Sequence, residues 1–254
     1  MWWASVGAGI IANFATIAVT IAAGALLLAG RRRALLRFWG IEDLKKIRIY
    51  ISHLRIIPGG ALDAQGTPRS YQGSVVTQLE SEMGALLRGS FFVSLPGGVA
   101  QPAWAKALLF INADVIVQAA PSTAAAIDPE GSVVSLGSPG YNTVSAAIEQ
   151  NCQSPVRFAP GNTAIQLPGN LTTTNPRQCF VVRLRAGGRF WFYAAGLSET
   201  GTAAAAYYLA SAWRRLDRRY RTSPSFFLVL EISGDDFRNS RIISEGTLDD
   251  PAAA

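Results

Sequence analysis

The stretch that decides the fold is Gly131-Ser132-Val133-Val134-Ser135-Leu136-Gly137-Ser138-Pro139-Gly140-Tyr141-Asn142-Thr143. It recurs in a second version, Arg189-Phe190-Trp191-Phe192-Tyr193-Ala194-Ala195-Gly196-Leu197-Ser198-Glu199-Thr200-Gly201-Thr202. Each is an apolar run followed by a tight Gly/Ser/Thr loop. Small residues then open a helical segment, Val144 to Ile148 in the first and Ala203 to Ala206 in the second. Strands that end in such loops and feed helices are how α/β domains build ligand crevices. Two of them in one chain predict two loops facing a single crevice. The fold class expected is α/β, with a Rossmann-like, mostly parallel sheet.

Outward from these stretches, Ile47 to Ser52 alternates and is β-branched, which predicts the first strand. Val75, Val76, Leu79, Met83, Leu86 and Leu87 recur at helical spacing and predict a helix from Ser74 to Arg88. Asp114 to Gln118 is a continuous apolar run of the kind buried in parallel sheets. Thr143 to Gln150 reads as a helix. Between about 154 and 188 the pattern changes to short strands separated by Pro, Gly and Asn turns, which reads as a β-rich insertion. Ala186-Gly187-Gly188 predicts a hairpin turn into Phe190 to Tyr193. A helix follows Thr202, and Phe226 to Ile232 reads as the closing strand. Residues 241–254, with Glu245, Asp249 and Asp250, read as a flexible acidic tail.

At the other end, Ala4 to Gly30 carries no charged residue. At about 1.5 Å per residue it is long enough to cross a hydrocarbon core of about 30 Å. Arg31, Arg32, Arg33 and Arg37 follow it directly. This predicts a single transmembrane anchor over 1–30 and a basic juxtamembrane linker over 31–46, with Trp39 at the interface. The α/β domain would span 47–240. The positive flank predicts the inner, cytoplasmic membrane with the C-terminal domain in the cytoplasm. The chain has 254 residues and a formal charge of +6, and its mean hydropathy of +0.21 agrees with an apolar segment. Two cysteines, Cys152 and Cys179, exclude a disulfide framework and a CxxC metal site. No metal ligand set is expected.

Ligand contact is expected from the two loops: Ser138, Gly140, Tyr141, Asn142 and Thr143, and Ser198, Glu199, Thr200, Gly201 and Thr202. Gly140 permits unusual backbone angles, and amides at a helix start can hold an anion. The competing reading is that Asn142, Thr200 or Thr202 simply cap helices. The catalytic candidates are Glu199 and Glu80, with solvated carboxylates as the plain alternative. His53, the lone histidine, follows the first strand and is more often structural. Neither GxGxxG nor a P-loop GK[ST] is present around Gly59-Gly60. The run Trp213 to Arg221 fits a helix C-terminus better than a nucleic-acid patch.

The apolar N-terminal segment, the strand Ile47 to Ser52, the loop Gly137 to Asn142 and the loop Gly196 to Thr202 together resemble Rossmann-like sensor or effector domains. Such domains occur in bacterial signalling and defence systems, among them relatives of nucleoside deoxyribosyltransferases and TIR domains. The resemblance covers about residues 47–232 and implies nucleotide binding. It carries over no catalytic residue, because the TIR Ser-x-x-x-x-x-Glu helix pattern has no counterpart here. The function expected is therefore a membrane-anchored domain binding a nucleotide or similar anionic small molecule, with no cofactor assigned beyond that ligand. A nucleoside- or nucleotide-processing hydrolase or transferase is the first alternative. A non-catalytic interaction protein at the membrane is the second. The expected partners are the membrane, a nucleotide-like ligand and a further copy of the chain, with nucleic acid disfavoured.

Overall fold

The computed structural model describes residues 19, 22–24, 26, 29–30, 32–40, 46–52, 54–55, 74–75, 78–91, 115–234 and 236–248. In chain order these give helix α1 (32–39), β1 (Ile47–Ile51), β2 (Leu54–Arg55), β3 (Ser74–Val75) and α2 (Gln78–Ser90). Then come β4 (Val115–Ala119), β5 (Ser132–Leu136), α3 (Thr143–Asn151), β6 (Arg157–Phe158), β7 (Ile165–Leu167) and β8 (Leu171–Thr173). The chain continues through β9 (Gln178–Ala186), β10 (Arg189–Gly196), α4 (Glu199–Arg219), β11 (Ser225–Ile232) and β12 (Ser240–Leu248).

Seven strands form the central sheet in the order β12-β11-β9-β10-β5-β1-β4. The ladders β4–β1, β1–β5 and β5–β10 are parallel. Those of β10–β9, β9–β11 and β11–β12 are antiparallel. The mostly parallel sheet expected from sequence is thus corrected to a mixed one. The error lies in β9. Its preceding turns mark it as insertion, but it forms a hairpin with β10 through Gly187-Gly188 and sits inside the sheet. Of the stretch read as insertion, β6, β7 and β8 make a separate small sheet, and β2 pairs with β3 in another. Residues 241–248, read as the start of the tail, belong to edge strand β12 beside β11. On the other edge, β4 is only half-buried, with Ile116 36 % exposed.

Alternation along the strands sends side chains to two cores. One face buries Ile47, Ile49, Leu136, Val181, Phe192 and Leu228 beneath α1, α2 and α4. The other buries Val133, Phe180, Val182, Tyr193 and Val229 beneath α3 and the small sheet. Ala203 to Ala206 of α4 are fully buried, so this helix lies close on its strands.

Helix α1 changes the reading of the N-terminal region. Leu35, Phe38 and Trp39 are 0–1 % exposed. Trp39 packs at 4.5 Å from Phe91 and 4.6 Å from Phe192, centroid to centroid. Arg37 Nε donates to Asp217 of α4 at 2.9 Å. A segment read as juxtamembrane linker, with Trp39 at an interface, is instead part of the domain core. Among the described residues, no helix is long and apolar enough to cross a membrane. This overturns the N-terminal transmembrane helix in the expected fold class. It equally overturns the single-pass inner-membrane localisation derived from that helix. Most of the 1–30 stretch lies outside the described residues.

Candidate functional site

Strands β1, β5 and β10 run in parallel, so their carboxyl ends share one edge of the sheet. The connection leaving β5 begins with α3 on one face, while those leaving β1 and β10 lead to α2 and α4 on the other. Where neighbouring connections part to opposite faces, a crevice opens at the strand ends. It is lined by Ser52, Glu80, Gly137, Ser138, Tyr141, Gly196, Leu197, Ser198, Glu199 and Thr202 and has a volume of about 270 Å³. Small-ligand sites start at roughly 300 Å³, so this one suits a compact ligand or one group of a larger one.

Glycine makes the floor. Gly137 has φ +95°, and a Cβ there would stand 1.9 Å from Ser52 Oγ and 3.2 Å from Glu80 Oε1. Neither the backbone angle nor the space admits a side chain. Gly196 and Gly201 approach so closely that a Cβ on Gly196 would meet Gly201 Cα at 2.7 Å. That contact seats the start of α4 against the end of β10. The Gly196 N–H donates to Thr202 Oγ1 at 3.2 Å.

Glu80 projects from α2 and is 6 % exposed. The Ser52 N–H donates to its Oε2 at 2.9 Å. The Ser52 hydroxyl donates to the Leu136 carbonyl at 3.2 Å, tying β1 to β5. Burial pushes the Glu80 carboxyl above the ordinary carboxylate range. Hydrogen bonds from the Ser52 side chain and amide offset part of the rise, and the charge of Glu199 adds to it. Glu199 itself is exposed in the first turn of α4, where the helix dipole favours negative charge.

Of the residues expected to contact ligand, Ser138, Tyr141, Ser198, Glu199 and Thr202 line the crevice, and the catalytic candidate Glu80 joins them. The others serve structure or face elsewhere. Asn142 is 1 % exposed and caps α3, accepting from the Val144 and Ser145 amides and donating to the Leu136 and Tyr50 carbonyls. The Thr143 hydroxyl donates to the Pro121 carbonyl. Gly140 faces Asn162 of the turn before β7, and the unusual φ of this loop falls at Gly137 instead. Gly201 donates its amide to the capping Ser198 hydroxyl at 3.0 Å. Thr200 is exposed and does not line the crevice. His53, Asp114, Gly59 and Gly60 lie outside the described residues. Sequence reasoning did not assign Ser52, Gly137, Gly196 or Leu197 to the site. Ser52 had a signal, as the polar residue closing an apolar strand.

The cysteines are unpaired, and burial pushes the Cys152 thiol up to about 11 and that of Cys179 to about 12. Neither is a nucleophile at neutral pH.

No family model matches the chain, and neither a curated protein nor a solved structure matches it. Function therefore has to be argued from the crevice itself. Among the described residues its lining contains two carboxylates and no Lys or Arg. Such a lining attracts hydroxyl donors and positive charge, and does not attract a phosphate.

Proposed function

We propose that the crevice binds the sugar of a nucleoside or nucleotide and that the protein hydrolyses or transfers across its glycosidic bond. The observation that carries this reading is the pair of carboxylates, Glu80 and Glu199, in opposite environments within one crevice. Two carboxyls whose surroundings separate their proton affinities divide the work of acid and base. Glu80, buried and holding its proton to higher pH, donates it to the departing base. Glu199, exposed at a helix N-terminus, places negative charge toward the sugar cation that develops as the bond breaks. Water or an acceptor hydroxyl then bonds to the anomeric carbon and passes its proton to the Glu80 carboxylate, which restores the acid. Tyr141, 53 % exposed at the mouth, offers a face on which the base stacks.

The test incubates the full chain with a panel of nucleosides, nucleotides and dinucleotides and follows release of free base. Release that disappears in Glu80→Gln and falls in Glu199→Gln is expected. Turnover unaffected by both substitutions sinks the assignment.

A second reading, ligand binding without turnover in a sensor or effector, is favoured by one detail. Glu199 makes no positioning hydrogen bond among those identified. In that case the panel gives saturable binding, dependent on Glu80, with no product.

A further inference from the structure

The opposite end of the sheet holds a larger recess. It is open, has a volume of about 680 Å³, and lies at the amino ends of β10 and β11 beside the C-terminus of α4. Among the described residues its lining includes Arg37, Arg183, Arg185 and Arg221 against one carboxylate, Asp217. The balance decides its sign. Arg37 is committed to Asp217 in a two-point contact, which neutralises one of the four positive charges.

Arg183 is 4 % exposed and fixed in place. Its guanidinium donates to the carbonyls of Pro224 (3.0 Å), Phe38 (3.3 Å), Tyr220 (3.3 Å) and Ser223 (2.6 Å). The rings of Phe38, Phe190 and Phe226 stand 4.8–5.2 Å from it. All of these partners are neutral. Burial pushes its pKa down to about 10, so it remains charged at neutral pH. The recess thus has a permanent cation beneath it that, among the described residues, hydrogen-bonds to no carboxylate; the nearest negative charge acting on it is Asp217, already shared with Arg37.

Arg185 and Arg221 are exposed at the rim, and neither has an ion pair among the described residues. Two guanidinium forks over a buried third match the oxygens of a phosphoryl group, which arginine binds in bidentate fashion. Thr222 and Ser223 add hydroxyls, and Phe190 with Leu36 adds an apolar wall.

We propose that this recess is a second binding site, for a small molecule bearing a phosphoryl group. Its concavity and size match those of small-ligand sites. A nucleic-acid duplex would be met by an extended basic strip instead. The site stands independently of whatever occupies the acidic crevice.

The test titrates the full chain with inorganic pyrophosphate as probe, at constant ionic strength, and reads thermal stability. A saturable rise in Tm is expected. Its apparent Kd weakens about tenfold or more in Arg185→Gln/Arg221→Gln, where two charge-assisted contacts are lost. The rise persists in Arg218→Gln, an exposed arginine of α4 outside the recess, and in Glu80→Gln. An unchanged response in the double variant overturns the proposal, as does a rise that sodium chloride of equal ionic strength reproduces. A stronger response to a duplex oligonucleotide or to anionic phospholipid vesicles overturns the small-molecule assignment.

Discussion

The two ends of strand β10 present opposite chemistry. At its carboxyl end, Gly196 borders a crevice whose ionisable side chains include the carboxylates Glu80 and Glu199. At its amino end, Phe190 borders a recess dominated by arginines. Six residues of strand separate the two, about 20 Å. Each end buries an ionisable group, Glu80 at one and Arg183 at the other, and burial pushes both toward neutrality. The Glu80 carboxyl moves up toward neutral pH, while the Arg183 guanidinium moves down to about 10. The consequences differ because the starting points differ. A carboxyl raised from its ordinary range keeps its proton to higher pH than an exposed one does. A guanidinium lowered by burial is still fully charged at neutral pH. The proposed roles follow this difference, proton transfer at one end and a fixed charge at the other.

Removing the fixed charge gives the largest expected effect. Arg183→Met keeps much of the side-chain volume but strips four carbonyls of a donor, of which that of Tyr220 keeps the Ser223 amide. Unsatisfied buried acceptors cost about 1–3 kcal/mol each, and water recovers part of this at the rim, so a loss of about 3 kcal/mol or more is expected by urea denaturation. A loss below about 1 kcal/mol would show that the guanidinium is replaceable and that the two ends differ less than their geometry suggests.

Glu80→Gln comes next and should move stability and activity in opposite directions. Loss of the acid–base group lowers turnover by about a hundredfold or more. Stability should rise at neutral pH. Because the folded-state pKa of Glu80 is raised, its contribution is complete below the ordinary carboxylate pKa. That contribution is lost as pH climbs through the raised value. The variant, with no proton to lose, should show a flatter stability profile across this window. A wild-type profile that rises through the same window would contradict the assigned direction.

How much of this was legible in the sequence follows from what local pattern encodes. The alternation of Ile47 to Ile51, the apolar run to Leu136 and the Gly187-Gly188 turn identified β1, β5 and the β9–β10 hairpin. The Gly/Ser/Thr loops located the crevice. Strand pairing is not local. The hairpin makes β9 antiparallel to β10, but nothing in Cys179 to Leu184 says that β11 pairs along its other side and draws it into the central sheet, so a mostly parallel sheet was expected. The same limit explains α1. Leu35, Phe38 and Trp39 among arginines have the pattern of an interfacial helix and equally of a core helix with solvated edges. The difference is made by Asp217, 180 residues away, which holds Arg37. Within the crevice, Glu80 shares a helical stripe with Met83 and Leu87, a spacing that buries it. Its partner Ser52 comes from another element and is invisible to spacing.

Gly137→Ala tests whether the crevice depends on backbone alone. The new methyl would fall 1.9 Å from Ser52 Oγ in a left-handed backbone conformation. About 1–3 kcal/mol of stability should be lost. The contact between Ser52 and Glu80 should be displaced as well, so turnover falls even where the protein remains folded. Pyrophosphate binding at the other end should be untouched, and a parallel loss at both ends would mean that the ends are coupled through β10.

The smallest effect on stability, and the sharpest on ligand choice, is expected from Tyr141→Ala. At 53 % exposure the ring contributes little to the core, and substitutions of this kind usually stay within about 0.5 kcal/mol. A base stacked on it would lose about 1–3 kcal/mol of binding. The weakening should therefore appear for ligands that carry a base and vanish for the free sugar, measured by competition against one nucleoside. Equal weakening for both would place Tyr141 against the sugar instead. It would also move the base toward Ser138, deeper under the β5 loop.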